Sequence, residues 1–181
     1  MSLQSPVSLD EAKKALQIGF IEDDQYITAL LLASTEWSEK FQNRTFVSRT
    51  RTLVMDNFQS VIRPPYPPLV SVTSIVYVDT AGSDQTLAAA AYRVDATSEP
   101  GRITEAYGYA WPAVRSVTNA VRIIYIAGYG NASKVPDDVK AAITLLAKHW
   151  YEAGESIQDA ASSNIPSSVK SLLWSNRMVP V

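Results

Sequence analysis

The sequence predicts an α+β chain, mainly α-helical: a small bundle of N- and C-terminal helices with a β-rich, antiparallel insertion between them. Two observations lead there. Apolar residues recur at helical spacing in both terminal stretches, and the period switches to alternation between about 45 and 128. Prolines and glycines cluster where the period changes, as "RPPYPPL" and "AGYGNASKVP". A length of 181 residues sets a single domain, 1–181, as the expectation, with a helical body over about 8–42 and 136–176 and the insertion over about 45–128.

The elements follow in order. In "SLDEAKKALQI", Ser8 is a natural N-cap and Glu11 completes a capping box; Leu9, Ala12 and Leu16 form the buried stripe and Gly19 is the expected stop. Asp23 or Asp24 opens a second helix in which Ile27, Leu30, Leu31, Ser34, Trp37 and Phe41 share a face. "TFVSRTRTLVMDNF" alternates and is β-branched, so it reads as a strand with Arg49 and Arg51 on one side. Four prolines exclude "RPPYPPL" from a helix or a central strand, which leaves a stiff lead-in. "VSVTSIVYVDT" is a strand, "AGSDQ" its turn, and "TLAAAAYRVD" the return strand; "GRITE" and "NAVRIIYIAGY" complete five or six antiparallel strands. Pro136 at the first helical position and Asp137 and Asp138 at the positive end of the dipole start another helix, closed by Gly154. "ESIQDAASSN" reads as a polar loop, and "IPSSVKSLLWSNR" as a short last helix with Val169, Leu172 and Leu173 inward, the first and last helices packing on each other. The apolar "MVPV" at the C-terminus reads as an unstructured docking tail.

Composition narrows the chemistry. The chain has no cysteine and one histidine, His149, so thiolate chemistry, Cys-based metal sites and a His-rich metal site within one subunit are excluded. Neither glycine cluster matches a phosphate-loop pattern. No apolar run is long enough for a bilayer span, and the N-terminus lacks a signal-peptide pattern, which implies a chain that stays in the cytoplasm where it is made. The net charge of −2 argues against strong sequence-independent DNA binding. Charge is uneven: residues 1–40 carry −4, residues 41–135 carry +3 and residues 136–181 carry −1.

His149 lies at the edge of an apolar stripe with no second histidine and no H-E-x-x-H pattern, so a helix-stacking residue outweighs a catalytic base. Asp56, Asp79 and Asp95 fall at strand ends, where turn caps explain them better than a carboxylate pair. No catalytic constellation survives, and neither an enzyme nor a cofactor is expected. The residues left over are aromatic. Trp37, Phe41, His149, Trp150, Tyr151, Trp174 and Arg177 are the candidates for an interface with other subunits or partners. Arg49, Arg51 and Arg63 are candidates for a basic face; a solvated sheet surface is the plainer reading, and an acidic partner the sharper one.

Several stretches together resemble the head–tail connector, or head-completion adaptor, proteins of tailed bacteriophages. They are "SLDEAKKALQI", "RPPYPPLVSVTSIVYVDTAGSDQTL", "YRVD", "EAYGYAWPAV", "AVRIIYIAGYG", "VPDDVKAAITLLAKHWYEAGES" and "IPSSVKSLLWSNR", spanning about 8 to 178. Two positions depart from the family pattern, near Ala153–Gly154 and Trp174–Ser175. The resemblance implies a structural virion protein with no reaction and no cofactor. About a dozen copies would form a ring under the portal protein and extend the DNA channel during head completion. A stopper or tail-completion protein would dock on the far side, and DNA would pass without specific binding. The protein would sit in the virion neck, after assembly in the host cytoplasm, with no membrane contact, and isolated subunits could stay monomeric until the portal templates the ring. The alternatives are a small soluble binding module and an uncharacterised carboxylate- or serine-dependent enzyme.

Overall fold

A computed structural model describes residues 3–154 and 165–179. The described residues form two compact units: 48–128, and the segments 3–47, 129–154 and 165–179 taken together. The expected polar loop "ESIQDAASSN" lies outside the described residues.

The helical unit contains four described helices: α1 (Leu9–Leu16), α2 (Asp24–Gln42), α3 (Asp137–Ala153) and α4 (Ser167–Trp174). The capping box at α1 is formed as the sequence predicts. The Ser8 backbone N–H donates to Glu11 Oε2 at 2.8 Å, and the Glu11 N–H donates to Ser8 Oγ at 3.3 Å. The helix stops before Gly19, because Gln17 takes the left-handed conformation (φ 59°) and its N–H caps Lys13 and Lys14 carbonyls. Asp23 occupies the N-cap position of α2 without a side-chain cap bond; its carboxylate accepts from the Tyr151 hydroxyl at 2.6 Å. Gly154 closes α3 as expected.

One core fills this unit. Ile27, Leu30 and Leu31 of α2 meet Val139, Ile143, Leu146 and Trp150 of α3 and Val169 and Leu173 of α4, all buried. The spacing i, i+3, i+4, i+7 places each set on one helix face. The close neighbours of α4 are α3 and α2, whereas α1 packs on α2 and α3. The expected pairing of first and last helices is thus replaced by a central α2–α3 pair that both flank. The physical reason is size: α1 offers one fully buried side chain, Ala12, too little apolar surface to anchor α4.

The β unit holds seven strands: β1 (Arg49–Met55), β2 (Val61–Ile62), β3 (Leu69–Val78), β4 (Asp84–Thr86), β5 (Tyr92–Asp95), β6 (Arg102–Glu105) and β7 (Val121–Ala127). They form two antiparallel sheets, in the orders β1-β7-β3-β4 and β2-β6-β5. This corrects two expectations. "TLAAAAYRVD" is not one return strand: β4 ends at Thr86, Ala89–Ala91 form a 3₁₀ turn, and Tyr92–Asp95 joins the second sheet. The chain is also not mainly helical, since the two sheets carry a core of their own, built from Ile62, Leu69, Ile75, Ile103, Val121, Ile123, Tyr125 and Ala127. Short strands give weak alternation signals, so their share is under-read beside long amphipathic helices. Gly101, between β5 and β6, is required by close approach: a Cβ there would lie 2.5 Å from the Leu69 Cβ.

Both Ser8 donors hold the Glu11 carboxyl below its ordinary value of 4.5, the backbone N–H most strongly. A carboxyl lowered in the folded state stabilises above its unfolded value and loses that contribution as pH falls through the folded one. Ser8→Ala keeps that N–H but removes the hydroxyl that caps the Glu11 N–H and bonds its carboxylate, and is expected to cost about 1 kcal/mol at neutral pH. The cost should narrow below about pH 4.5 in chemical-denaturation curves taken across the acid range.

Candidate assembly surfaces

The end of α2 positions the first surface. Gln42 Nε2 donates to the Leu173 carbonyl at 2.8 Å, Asn43 Nδ2 to the Met178 carbonyl at 2.9 Å, and Arg44 Nε to the Asn176 carbonyl at 2.6 Å. The Met178 N–H returns a bond to the Gln42 carbonyl at 2.9 Å. The turn that presents these residues is itself fixed: Asn43 is left-handed (φ 54°), and buried Glu39 accepts the Phe46 N–H at 2.8 Å. At the other side of α4, Asn176 Nδ2 reaches Asp138 Oδ2 at 3.1 Å.

This stitching assembles a continuous aromatic patch. Trp37 and Phe41, one turn apart on α2, stack at 5.1 Å with planes 15° apart. Phe41 meets Trp174 of α4 at 6.2 Å. The Arg177 guanidinium lies 4.9 Å from the Phe41 ring and 5.2 Å from the Trp174 ring, both in cation–π range. Trp174 is 63% exposed and Arg177 exposed, while Trp37 and Phe41 are half-buried. Four of the interface candidates from the sequence therefore converge on one surface.

The other three do not join it. Trp150 is 1% exposed and belongs to the core. Its position on the apolar stripe of α3 puts it inward, which corrects its reading as an interface residue. Tyr151 is half-buried and committed within the unit: its hydroxyl donates to Asp23, which raises its pKa, and its ring meets Tyr26 at 5.9 Å. His149 is half-buried on α3 and makes no hydrogen bond or ion pair among the described residues. No group of three His, Cys, Asp or Glu able to hold a metal occurs among the described residues. The "MVPV" tail is likewise corrected in part, since Met178 is hydrogen-bonded to the end of α2; Pro180 and Val181 lie outside the described residues.

The second surface lies in the β unit. Arg49 and Arg51 alternate along β1 with exposed Thr50 and Thr52, as the strand period predicts. Together with Pro65, Tyr66 and Tyr125 these residues line a cavity of about 260 Å³. The Arg51 guanidinium sits 4.1 Å from the Tyr66 ring centroid. Tyr66 itself is left-handed (φ 59°), a conformation that costs a non-glycine residue about 1 kcal/mol or more. Buried Tyr125 donates its hydroxyl to the Pro65 carbonyl at 2.7 Å, pinning the proline-rich lead-in under the arginines. Arg63 is exposed on that lead-in but does not line the cavity. Spacing along the chain does not link Tyr66 or Tyr125 to the arginines; only the fold brings residues 49–52, 65–66 and 125 together.

Asp95 is a turn residue, as expected. It accepts from Ser98, Arg102 and Thr97, bonds that hold its carboxyl far below the usual carboxylate range, Ser98 most strongly. No helix is long and apolar enough to cross a membrane among the described residues.

No protein-family model and no curated protein matches the sequence. Solved structures do match. A chain in the neck of an empty gene transfer agent particle, computed with C6 symmetry, superposes with a TM-score of 0.78 at 24% identity, covering 100% of this chain and 94% of that one. A chain in the virion of the native gene transfer agent particle gives 0.78 at 24%, over 97% and 91%. A chain in the neck of the native particle, computed with C12 symmetry, gives 0.74 at 26%, over 100% and 97%. The fold of this chain is thus one found along the whole length of proteins in the neck of a phage-like particle, consistent with the resemblance to head–tail connectors read from its sequence.

Two measurements check these surfaces. Ending the chain after Arg177 removes both Met178 bonds and should lower the unfolding free energy by about 1–3 kcal/mol, with one cooperative transition retained in a thermal melt. Burial pushes the Tyr125 phenol up to about 12 from its ordinary 10.0. A raised acid stabilises below its unfolded value and loses that contribution as pH rises through the folded one. Tyr125→Phe should therefore cost about 1 kcal/mol near neutral pH. It should also flatten the alkaline loss of stability between pH 10 and 12, followed by tyrosinate absorbance.

Proposed function

We propose that this chain is a structural protein of a virion neck: a head–tail connector whose copies close into a ring beneath the portal protein and extend the channel for DNA. The observation that carries this reading is the fold match, which leaves no part of the chain over: it covers 100% of this chain and 97% of a protein in a neck of C12 symmetry. A ring of about a dozen copies follows by analogy with that symmetry, and closed rings repeat one heterologous contact. A stopper or tail-completion protein would take the opposite face, and the host cytoplasm would be the place of assembly.

The Trp37–Phe41–Trp174–Arg177 patch supplies the side-chain chemistry such a contact uses. Exposed tryptophan and arginine are the residue types that anchor protein interfaces, and here they are already held in place by packing, so little ordering entropy remains to be lost. His149 and Tyr151 have no assigned part in that contact. The sequence charge of −2 suits a conduit that lets DNA pass.

The test is co-expression with the portal protein of the same particle, followed by electron microscopy. Rings docked on portal are expected for the native chain. Trp174→Ala, at a mostly exposed position, should shift the thermal midpoint little and yet reduce ring occupancy on portal at least about tenfold. Particles with no density for this chain at the neck would end the proposal.

A further inference from the structure

The helical unit exposes apolar side chains at both ends of α2, with a spare charge of opposite sign at each. At the C-terminal end stands the patch already described, where Trp174 is 63% exposed beside Arg177. At the N-terminal end lies the turn "GFIED", in which Phe20 is 52% and Ile21 74% exposed. Adjacent apolar side chains left in water on a fixed turn mark a contact surface.

The turn is indeed fixed. Lys13 Nζ of α1 donates to the Phe20 carbonyl at 2.7 Å, and the Asp24 N–H donates to the Ile21 carbonyl at 3.1 Å. Two of its carboxylates are committed within the unit: Asp24 accepts from Lys13 Nζ at 2.6 Å, and Asp23 from the Tyr151 hydroxyl at 2.6 Å. The third, Glu22, is exposed, and its carboxylate enters no hydrogen bond or ion pair among the described residues. The Arg177 guanidinium likewise has its two ring contacts and no ion pair among the described residues. A hollow of about 450 Å³, lined along α1 by Asp10, Lys13, Lys14 and Gln17 and then by Ile18 and Gly19, adjoins the turn.

Asp24 and Phe41 stand about 26 Å apart along the axis of α2, at 1.5 Å per residue, so the two surfaces cannot meet within one chain. Nor does like suit like. Two copies of the patch would oppose two Arg177 side chains, and two copies of the turn would oppose two Glu22 side chains. Pairing the unlike surfaces removes both conflicts. It is also a heterologous contact, the kind that repeats from copy to copy and closes as a ring.

We infer that the Trp174–Arg177 patch of one copy docks on the Phe20–Glu22 turn of the next. Trp174 meets Phe20, Ile21 and the hollow beside them, and Arg177 pairs with Glu22. This names the second half of the ring contact, and it rests on the neck reading for the ring itself.

The test uses rings assembled on the portal protein and counted by electron microscopy. Glu22→Arg alone and Arg177→Glu alone should each reduce ring occupancy about tenfold or more, because each sets like charges against one another at every contact. The chain carrying both substitutions should recover to within about threefold of the native one. The chain has no cysteine, so engineered thiols report cleanly. Chains carrying Ile21→Cys, mixed with chains carrying Ser175→Cys, should be joined by a short bismaleimide reagent in the rings; chains of either kind alone should not. This readout leaves Glu22 and Arg177 intact, so it decides the matter should the melting midpoint of Arg177→Glu show that it does not fold. Absence of rings with the native chain would overturn the neck reading and this inference together. Native rings that survive either charge reversal, that a folded double reversal does not restore, or that crosslink only between like positions would overturn this inference and leave the neck reading standing.

Discussion

Three consecutive polar side chains at the end of α2 determine where the last stretch of the helical unit lies. Gln42, Asn43 and Arg44 each donate to a different carbonyl between Leu173 and Met178. Gln42 is fully buried, so its amide had to find an acceptor or leave a costly orphan; its Nε2 finds one, while its Oε1 has no partner among the described residues. The bonds run to backbone atoms, so they specify position without specifying sequence. What they position is the pair Trp174 and Arg177, laid across Phe41 and hence against Trp37. α4 is anchored in the core by Val169 and Leu173, and this clamp, with the Asn176–Asp138 bond, holds the residues beyond them.

The β unit solves a related problem with different means. Its four-stranded sheet is centred on β7, whose residues alternate between buried positions and half-buried or exposed ones. The proline-rich segment cannot join that sheet, because it lacks the donors. It is tied down from beneath by the Tyr125 hydroxyl and from the side by Arg51 on Tyr66. Pinning this segment leaves a recess lined by residues of β1, Pro65, Tyr66 and Tyr125. The strained backbone of Tyr66 is maintained by those surroundings, and strain of this kind collects where surfaces do work.

Both surfaces are built from cations and rings rather than from carboxylates, histidines and nucleophiles. Arg177 and Arg51 each lie over an aromatic face, an arrangement that keeps the guanidinium oriented. In both, ring and guanidinium hold one another in place. That character agrees with a fold otherwise seen in a particle neck.

Local sequence determined most of the secondary structure by itself. The capping box of Ser8 and Glu11, the length of α2, the Gly154 stop and the Arg49–Arg51 alternation depend on residues within a turn or two of each other, so spacing alone reveals them. The same spacing put Trp37 and Phe41 on one face. Tertiary structure decided what spacing cannot carry. Trp150 turned inward because α2 and α4 cover its side of α3, and Met178 joined the end of α2 across more than a hundred residues of sequence. The Ala-rich stretch broke between two sheets, and Tyr66 and Tyr125 reached the arginines of β1, only once strand order was set. Periodicity reports which face of an element is apolar; it holds no record of which partner that face will meet, because long-range contacts are chosen by the packing of the whole.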